Sequence, residues 1–90
     1  MRFMITFPLT HNSYEERVAR FLESGAPAPE GVTIEGRWFT ASHSKGFMLV
    51  TTDDSKLLFK FVSEWTDLMD FEVEPVLTDE EAAPILQGLA

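Results

Sequence analysis

The hydrophobic pattern switches between two periodicities along the chain, and each switch marks an element. In "RFMITFPL" (residues 2–9) Phe3, Ile5 and Phe7 alternate with Arg2, Met4 and Thr6. That is the period of a strand with one strongly apolar face, and Pro8 helps to end it. "NSYEERVARFLESG" changes to helical spacing, with Tyr14, Val18, Phe21 and Leu22 on one face. Ser13 and Glu16 have the spacing of a capping box, Glu16 and Arg20 form an i,i+4 pair on the polar side, and Gly25 is a natural stop. After the short, stiff "APAPEG" (26–31), "VTIEGRWFT" (32–40) reads as a second strand. Val32, Ile34, Gly36 and Trp38 take one face and Thr33, Glu35, Arg37 and Phe39 the other. A turn, "ASHSK", leads to "GFMLVTT" (46–52), which is apolar on both faces: Phe47 and Leu49 on one, Met48 and Val50 on the other. A strand of that kind is central and needs cover on each side.

Helical spacing then returns. Asp53 is the expected cap, and Leu57, Leu58, Phe61, Val62, Trp65 and Leu68 make a continuous stripe, with Lys56, Lys60 and Glu64 away from it. "DFEVEPVL" is a fourth strand, which Pro75 assigns to a sheet edge because proline has no N–H for a ladder. "TDEEAAPILQGL" closes the chain as a short helix with a Thr78/Glu81 capping box and an irregularity at Pro84.

The order β-α-β-β-α-β plus a terminal helix predicts an α+β, ferredoxin-like sandwich over residues 1–90. Two right-handed crossovers interleave into one antiparallel sheet of spatial order 4-1-3-2, with both crossover helices on one face. The other face is left uncovered. Met4, one apolar set of the third strand, Phe39 and Val76 are expected there, and a second copy laid sheet to sheet would cover them as a homodimer.

Composition narrows the function classes. The chain has 90 residues, no cysteine and a net charge of −8 from 15 acidic and 7 basic residues. The absence of cysteine removes disulfides, thiolate catalysis and cysteine-ligated zinc, and agrees with a reducing, cytoplasmic setting. A nucleic-acid partner needs clustered Lys and Arg, which are dispersed here, and the same argument disfavours an anionic membrane surface. No apolar run approaches the roughly 20 residues of a membrane span, and the N-terminus has no signal-peptide pattern. With two histidines far apart in sequence and no glycine-rich dinucleotide fingerprint, neither a metal nor a cofactor is expected.

Two segments carry a resemblance. "EWTDLMDFEVEPVLTDEEAA" (64–83) is similar to the C-terminal signature of a small bacterial domain of unknown function, the 3303 series. "RWFTASHSKGFMLVTTDD" (37–54) fits the same pattern, as does the short N-terminal strand. The layout resembles the dimeric α/β-barrel superfamily, in which two ferredoxin-like subunits pack sheet to sheet. That resemblance implies a homodimer and a pocket between helices and sheet. Some branches of the superfamily are cofactor-independent monooxygenases, lactone isomerases or haem-degrading enzymes that place an Asn, a Trp and a His or Arg around that pocket. Here Trp65 has the corresponding helix, but the only Asn, Asn12, is explained as a residue before the first helix, so the set does not carry over and no catalytic residue is assigned.

Five residues remain as candidates for ligand binding. Trp65 reads as core or as a lid over an apolar molecule, and Tyr14 as core or as an inward hydroxyl. Trp38 joins them as a second large aromatic. Arg37 suits a carboxylate ligand or an acidic neighbour across a dimer. His11 follows the first strand, where loop residues often face a cleft mouth, while His43 sits in a tight turn. Glu72 and Glu74 share one strand face and read as a solvated edge or a dimer rim, with Arg37 the expected opposite charge. Three readings follow: a dimer that binds a small apolar or acidic molecule in a helix–sheet cleft, a non-catalytic dimerisation and regulatory module, or, as the resemblance implies, a cofactor-independent monooxygenase-like or isomerase-like enzyme.

Overall fold

A computed structural model describes residues 1–89. Strands β1 (Arg2–Pro8), β2 (Thr33–Phe39), β3 (Lys45–Thr51) and β4 (Glu72–Val76) form one antiparallel sheet of order β2-β3-β1-β4, the 4-1-3-2 arrangement of a ferredoxin-like layout. Helices α1 (Tyr14–Ser24) and α2 (Ser55–Ser63) are the two crossovers, and α3 (Asp79–Leu89) follows the last strand. Pro75 sits in β4 at the sheet edge, as its missing donor requires.

The core lies on the helix-covered face. Phe3, Ile5 and Phe7 of β1 stand opposite Val50, Met48 and Gly46 of β3, and Leu58 and Phe61 of α2 close over them. Gly46 is required by contact: a Cβ there would run into the Phe7 ring. The other face presents Met4, Phe47, Leu49 and Val76 among Arg2, Thr6, Glu72 and Glu74, in register across β1, β3 and β4.

Strand β2 departs from simple alternation. Ile34 stands opposite Val50, but Gly36 rather than Glu35 stands opposite Leu49, so one extra residue enters the strand. Such a bulge exchanges the faces of everything after it. Val32 and Ile34 belong to the helix-covered side, as expected, but Arg37 and Phe39 join them there, while Trp38 lies on the open face over Gly36. Phe39 is thus replaced by Trp38 in the open-face patch, and Arg37 is on the opposite side of the sheet from Glu72 and Glu74.

Helix ends differ from expectation in instructive ways. Asp54, not Asp53, caps α2 by accepting from the Lys56 N–H at 2.9 Å, while Asp53 lies 3.4 Å from the N-terminal amine. The Ser13/Glu16 box does not form. Ser13 Oγ donates instead to the Leu68 carbonyl at 2.8 Å, tying the start of α1 to the turn after α2. Gly25 ends α1 as expected, at φ 72°, with its N–H donating to the Phe21 carbonyl. The Thr78/Glu81 box forms in full: Thr78 N–H donates to Glu81 Oε1 at 3.0 Å and Glu81 N–H to Thr78 Oγ1 at 3.2 Å.

Candidate functional site

Between α1, the turn after α2 and the sheet lies a cleft of about 420 Å³, within the range of small-molecule sites. Its aromatic framework follows from the strands. Phe39 of β2 meets Phe7 of β1 edge-on at 6.2 Å between ring centroids and Phe21 of α1 at 5.8 Å, and Phe7 lies 6.0 Å from Phe71. The bulge makes this cluster possible, because it turns Phe39 inward. Trp65 forms another wall; it is buried but lies in the turn two residues beyond the end of α2, with its backbone N–H donating to the Val62 carbonyl.

Two guanidinium groups interrupt this apolar lining. Arg17 is only 8% exposed; Nη1 donates to the Thr10 carbonyl at 2.8 Å and to Ser13 Oγ at 3.1 Å, and its carbon lies 5.7 Å from the Tyr14 ring centre. Arg37 comes from β2, lies 5.5 Å over the Phe21 ring, and donates through Nη2 to the Ala26 carbonyl at 2.6 Å and through Nη1 to the Gly25 carbonyl at 3.3 Å. Burial alone pushes the Arg37 pKa down from its ordinary value, although an arginine so placed keeps its charge near neutral pH. Among the described residues neither group is within ion-pair distance of a carboxylate, and no Asp or Glu lines the cleft. The two cations lie toward opposite ends of α1: Arg17 is anchored before its first turn and Arg37 just past its last.

Beside Trp65, α1 is tied to the turn after α2 by pairings outside the lining. Arg20 forms a two-pronged bond to Asp67, at 2.8 and 2.7 Å, donates to the Glu64 carbonyl at 3.1 Å, and covers the Trp65 ring at 5.4 Å. It therefore joins α1 to the turn after α2 rather than serving Glu16 as its main partner. That bond holds the Asp67 carboxyl below its usual range. His43, at φ 61°, lies on the loop between β2 and β3 and contributes to the lining.

Of the five candidate residues, the cleft gathers Tyr14, Arg37 and Trp65. Trp38 is 54% exposed on the open face, and His11 lies in a 3-10 turn (His11–Ser13) outside the lining. Tyr14 is half exposed, and Leu22, assigned by periodicity to the buried stripe, is exposed. Arg17 takes the inward position instead. Sequence reasoning missed it, yet it stands three residues after Tyr14 and four before Phe21, inside the apolar arc. Glu72 and Glu74 are both exposed on the open face, opposite Thr6 and Met4.

Among the described residues no helix is long and apolar enough to cross a membrane. No curated protein matches the chain. The profile of the family described as a domain of unknown function (DUF3303) matches residues 1–90, over the whole length that carries the sheet, the helices and the cleft, and the chain belongs to that family.

Proposed function

We propose that the protein binds a small molecule with an apolar body and one anionic group in the helix–sheet cleft. The observation that carries this reading is the pair of guanidinium groups without carboxylate partners, in an otherwise apolar cleft, in a chain of net charge −8. Where acids outnumber bases 15 to 7, a cleft that holds cations and no Asp or Glu is the reverse of the average surface. An anion from outside would restore charge balance where burial disfavours the lone Arg37 charge. The ligand carboxylate sits at Arg37, and its body lies against Phe21, Phe39 and Trp65. No reaction is assigned: His43 and the Tyr14 and Thr40 hydroxyls line the cleft, but among the described residues no side-chain hydrogen bond joins a hydroxyl to the imidazole.

The test is thermal melting with 2-naphthoate and its neutral isostere 2-naphthamide. A ligand at a hundred times its Kd stabilises by about 2.7 kcal/mol, several degrees for a chain of this length. Naphthoate is expected to raise Tm more than naphthamide, and Arg37→Gln to abolish the difference. Equal shifts for the two compounds, or none with naphthoate, would overturn the reading.

A second reading concerns assembly. Met4, Trp38, Phe47, Leu49 and Val76 form an apolar patch on a sheet face that neither crossover helix covers. A homodimer through that face, in the manner of the dimeric α/β-barrel superfamily, removes the patch from water.

A further inference from the structure

Helix α3 is the element that its own chain supports least. None of its residues is buried, and Ile85, Leu86 and Leu89 are 61, 62 and 79% exposed. It has 11 residues, with Pro84 inside it and Gly88 near its end. An isolated helix shorter than about 12–15 residues is marginal in water even without such residues. Only its start is fixed. The Thr78/Glu81 box sets the first turn, and Arg2 Nη1 donates to Glu81 Oε1 at 2.9 Å. Arg2 belongs to the open face and also lies 3.8 Å from Glu35 there, so α3 leaves the body on the open-face side. The helix needs a surface to lie on, and it starts beside a sheet face that neither crossover helix covers.

We propose that α3 is an exchanged arm, which docks its Ile85, Leu86 and Leu89 side on a second copy of this chain. This rests on the open-face homodimer described above and adds the element that completes it. Three strands of seven residues and one of five give a sheet face of only about 400 Å² at strand geometry. A stable interface buries about 800 Å² per partner. A helix about 16 Å long and 10 Å wide adds about 160 Å² given and as much received, which brings the total near that standard.

The acidic residues of α3, Asp79, Glu80 and Glu81, all lie in its first turn, at the end held by the chain's own Arg2. From Ala82 to Leu89 the helix is uncharged. The part that reaches across therefore meets a partner face carrying Glu72 and Glu74 without like-charge repulsion. An anionic membrane is a poor alternative, because α3 has an acidic first turn and no Lys or Arg.

Sedimentation of three full-length proteins at micromolar concentration tests this: the wild type, Leu49→Glu on the open face, and the double variant Leu86→Glu with Leu89→Glu. The wild type is expected at about twice the 10.2 kDa chain mass, and the double variant to dimerise at least tenfold more weakly with its thermal unfolding still cooperative. If Leu49→Glu is monomeric while the double variant dimerises like the wild type, the arm is refuted and the open-face dimer stands. A monomeric wild type refutes both. Hydrogen exchange separates docking on a partner from folding back: protection of α3 amides must rise with protein concentration, and concentration-independent protection overturns the exchange. Wild-type α3 binding to phosphatidylserine vesicles in preference to self-association overturns it as well.

Discussion

The two faces of the sheet solve opposite problems with similar side chains. On the helix-covered face, Phe3, Ile5, Phe7, Met48 and Val50 are buried, and the cations that enter, Arg17 and Arg37, rest on backbone carbonyls and aromatic rings. On the open face, the apolar residues Met4, Phe47, Leu49 and Trp38 are interleaved with charge, and Arg2 is engaged with Glu35 and Glu81. Apolar area that neither crossover helix covers, with Arg2 already paired to Glu35 and Glu81, suits a surface that meets another protein. Two guanidinium groups and no carboxylate in a largely apolar cleft suit a small anion. Changes on the covered face should therefore act on stability or ligand binding, and changes on the open face on association.

The largest expected effect is at Trp65. Its ring is buried, forms one wall of the cleft and lies beneath Arg20. Truncating a buried aromatic costs about 3–5 kcal/mol, so Trp65→Ala should lower the urea midpoint sharply. An unchanged midpoint with altered naphthoate binding would mean that the ring serves the ligand and not the core.

Next comes Gly46→Ala. The added Cβ meets the Phe7 ring, which Phe39 and Phe71 hold from two sides, so the ring has little room to yield. Overpacking of this kind costs about 1–3 kcal/mol, measured as a lower midpoint at unchanged m-value. The parallel change Gly36→Ala on the open face pushes against the Trp38 ring, which its own chain leaves more than half exposed. The difference between the two glycine variants measures how much more tightly the covered face is packed.

The same contrast explains which parts of the structure were legible in the sequence. Alternation in β1, the unbroken apolar run of β3, the proline in β4 and the stripe of α2 gave the element order and the sheet order, because each signal is local. The bulge in β2 was not legible. "VTIEGRWFT" alternates plausibly in either phase, and only its pairing with β3 shows that Gly36 and not Glu35 stands opposite Leu49. That single residue moved Arg37 and Phe39 into the cleft and Trp38 out of it. Arg17 was hidden for a different reason: a charged side chain is assigned to water by default, and its inward turn depends on the Thr10 carbonyl and Ser13 hydroxyl, which the fold brings to it.

A smaller effect is expected in acid. Asp67 and Glu81 both have carboxyls held below their ordinary values of 3.8 and 4.5, Asp67 by the Arg20 guanidinium and Glu81 chiefly by the Thr78 N–H and hydroxyl. A carboxyl depressed in the folded state contributes stability above its unfolded pKa and loses it as pH falls through the folded value. Tm should therefore begin to fall below about pH 4.5, and more shallowly in Asp67→Asn than in the wild type. Both groups are in solvent, so salt should flatten the same slope. Identical Tm–pH curves for wild type and variant would show that the Arg20–Asp67 bond adds nothing to the joint between α1 and the turn after α2.

The smallest effect belongs to Glu72 and Glu74, and its smallness is informative. The two carboxylates share the open face of an edge strand, separated by one residue, opposite Thr6 and Met4. Catalytic carboxylate pairs need unlike environments, one desolvated and one kept ionised, whereas these two are both exposed. Arg37 is not available to either, since it points through the other side of the sheet to the Gly25 and Ala26 carbonyls. What remains is a role at the edge, where charge discourages indiscriminate strand pairing. Glu72→Gln with Glu74→Gln should leave the urea midpoint unchanged and naphthoate binding intact. If the two faces divide the work as argued, the only measurable change is in association: removing two like charges from each copy should tighten the dimer slightly at low salt, and the gain should vanish at high salt. A change in ligand affinity instead would show that the two faces are coupled.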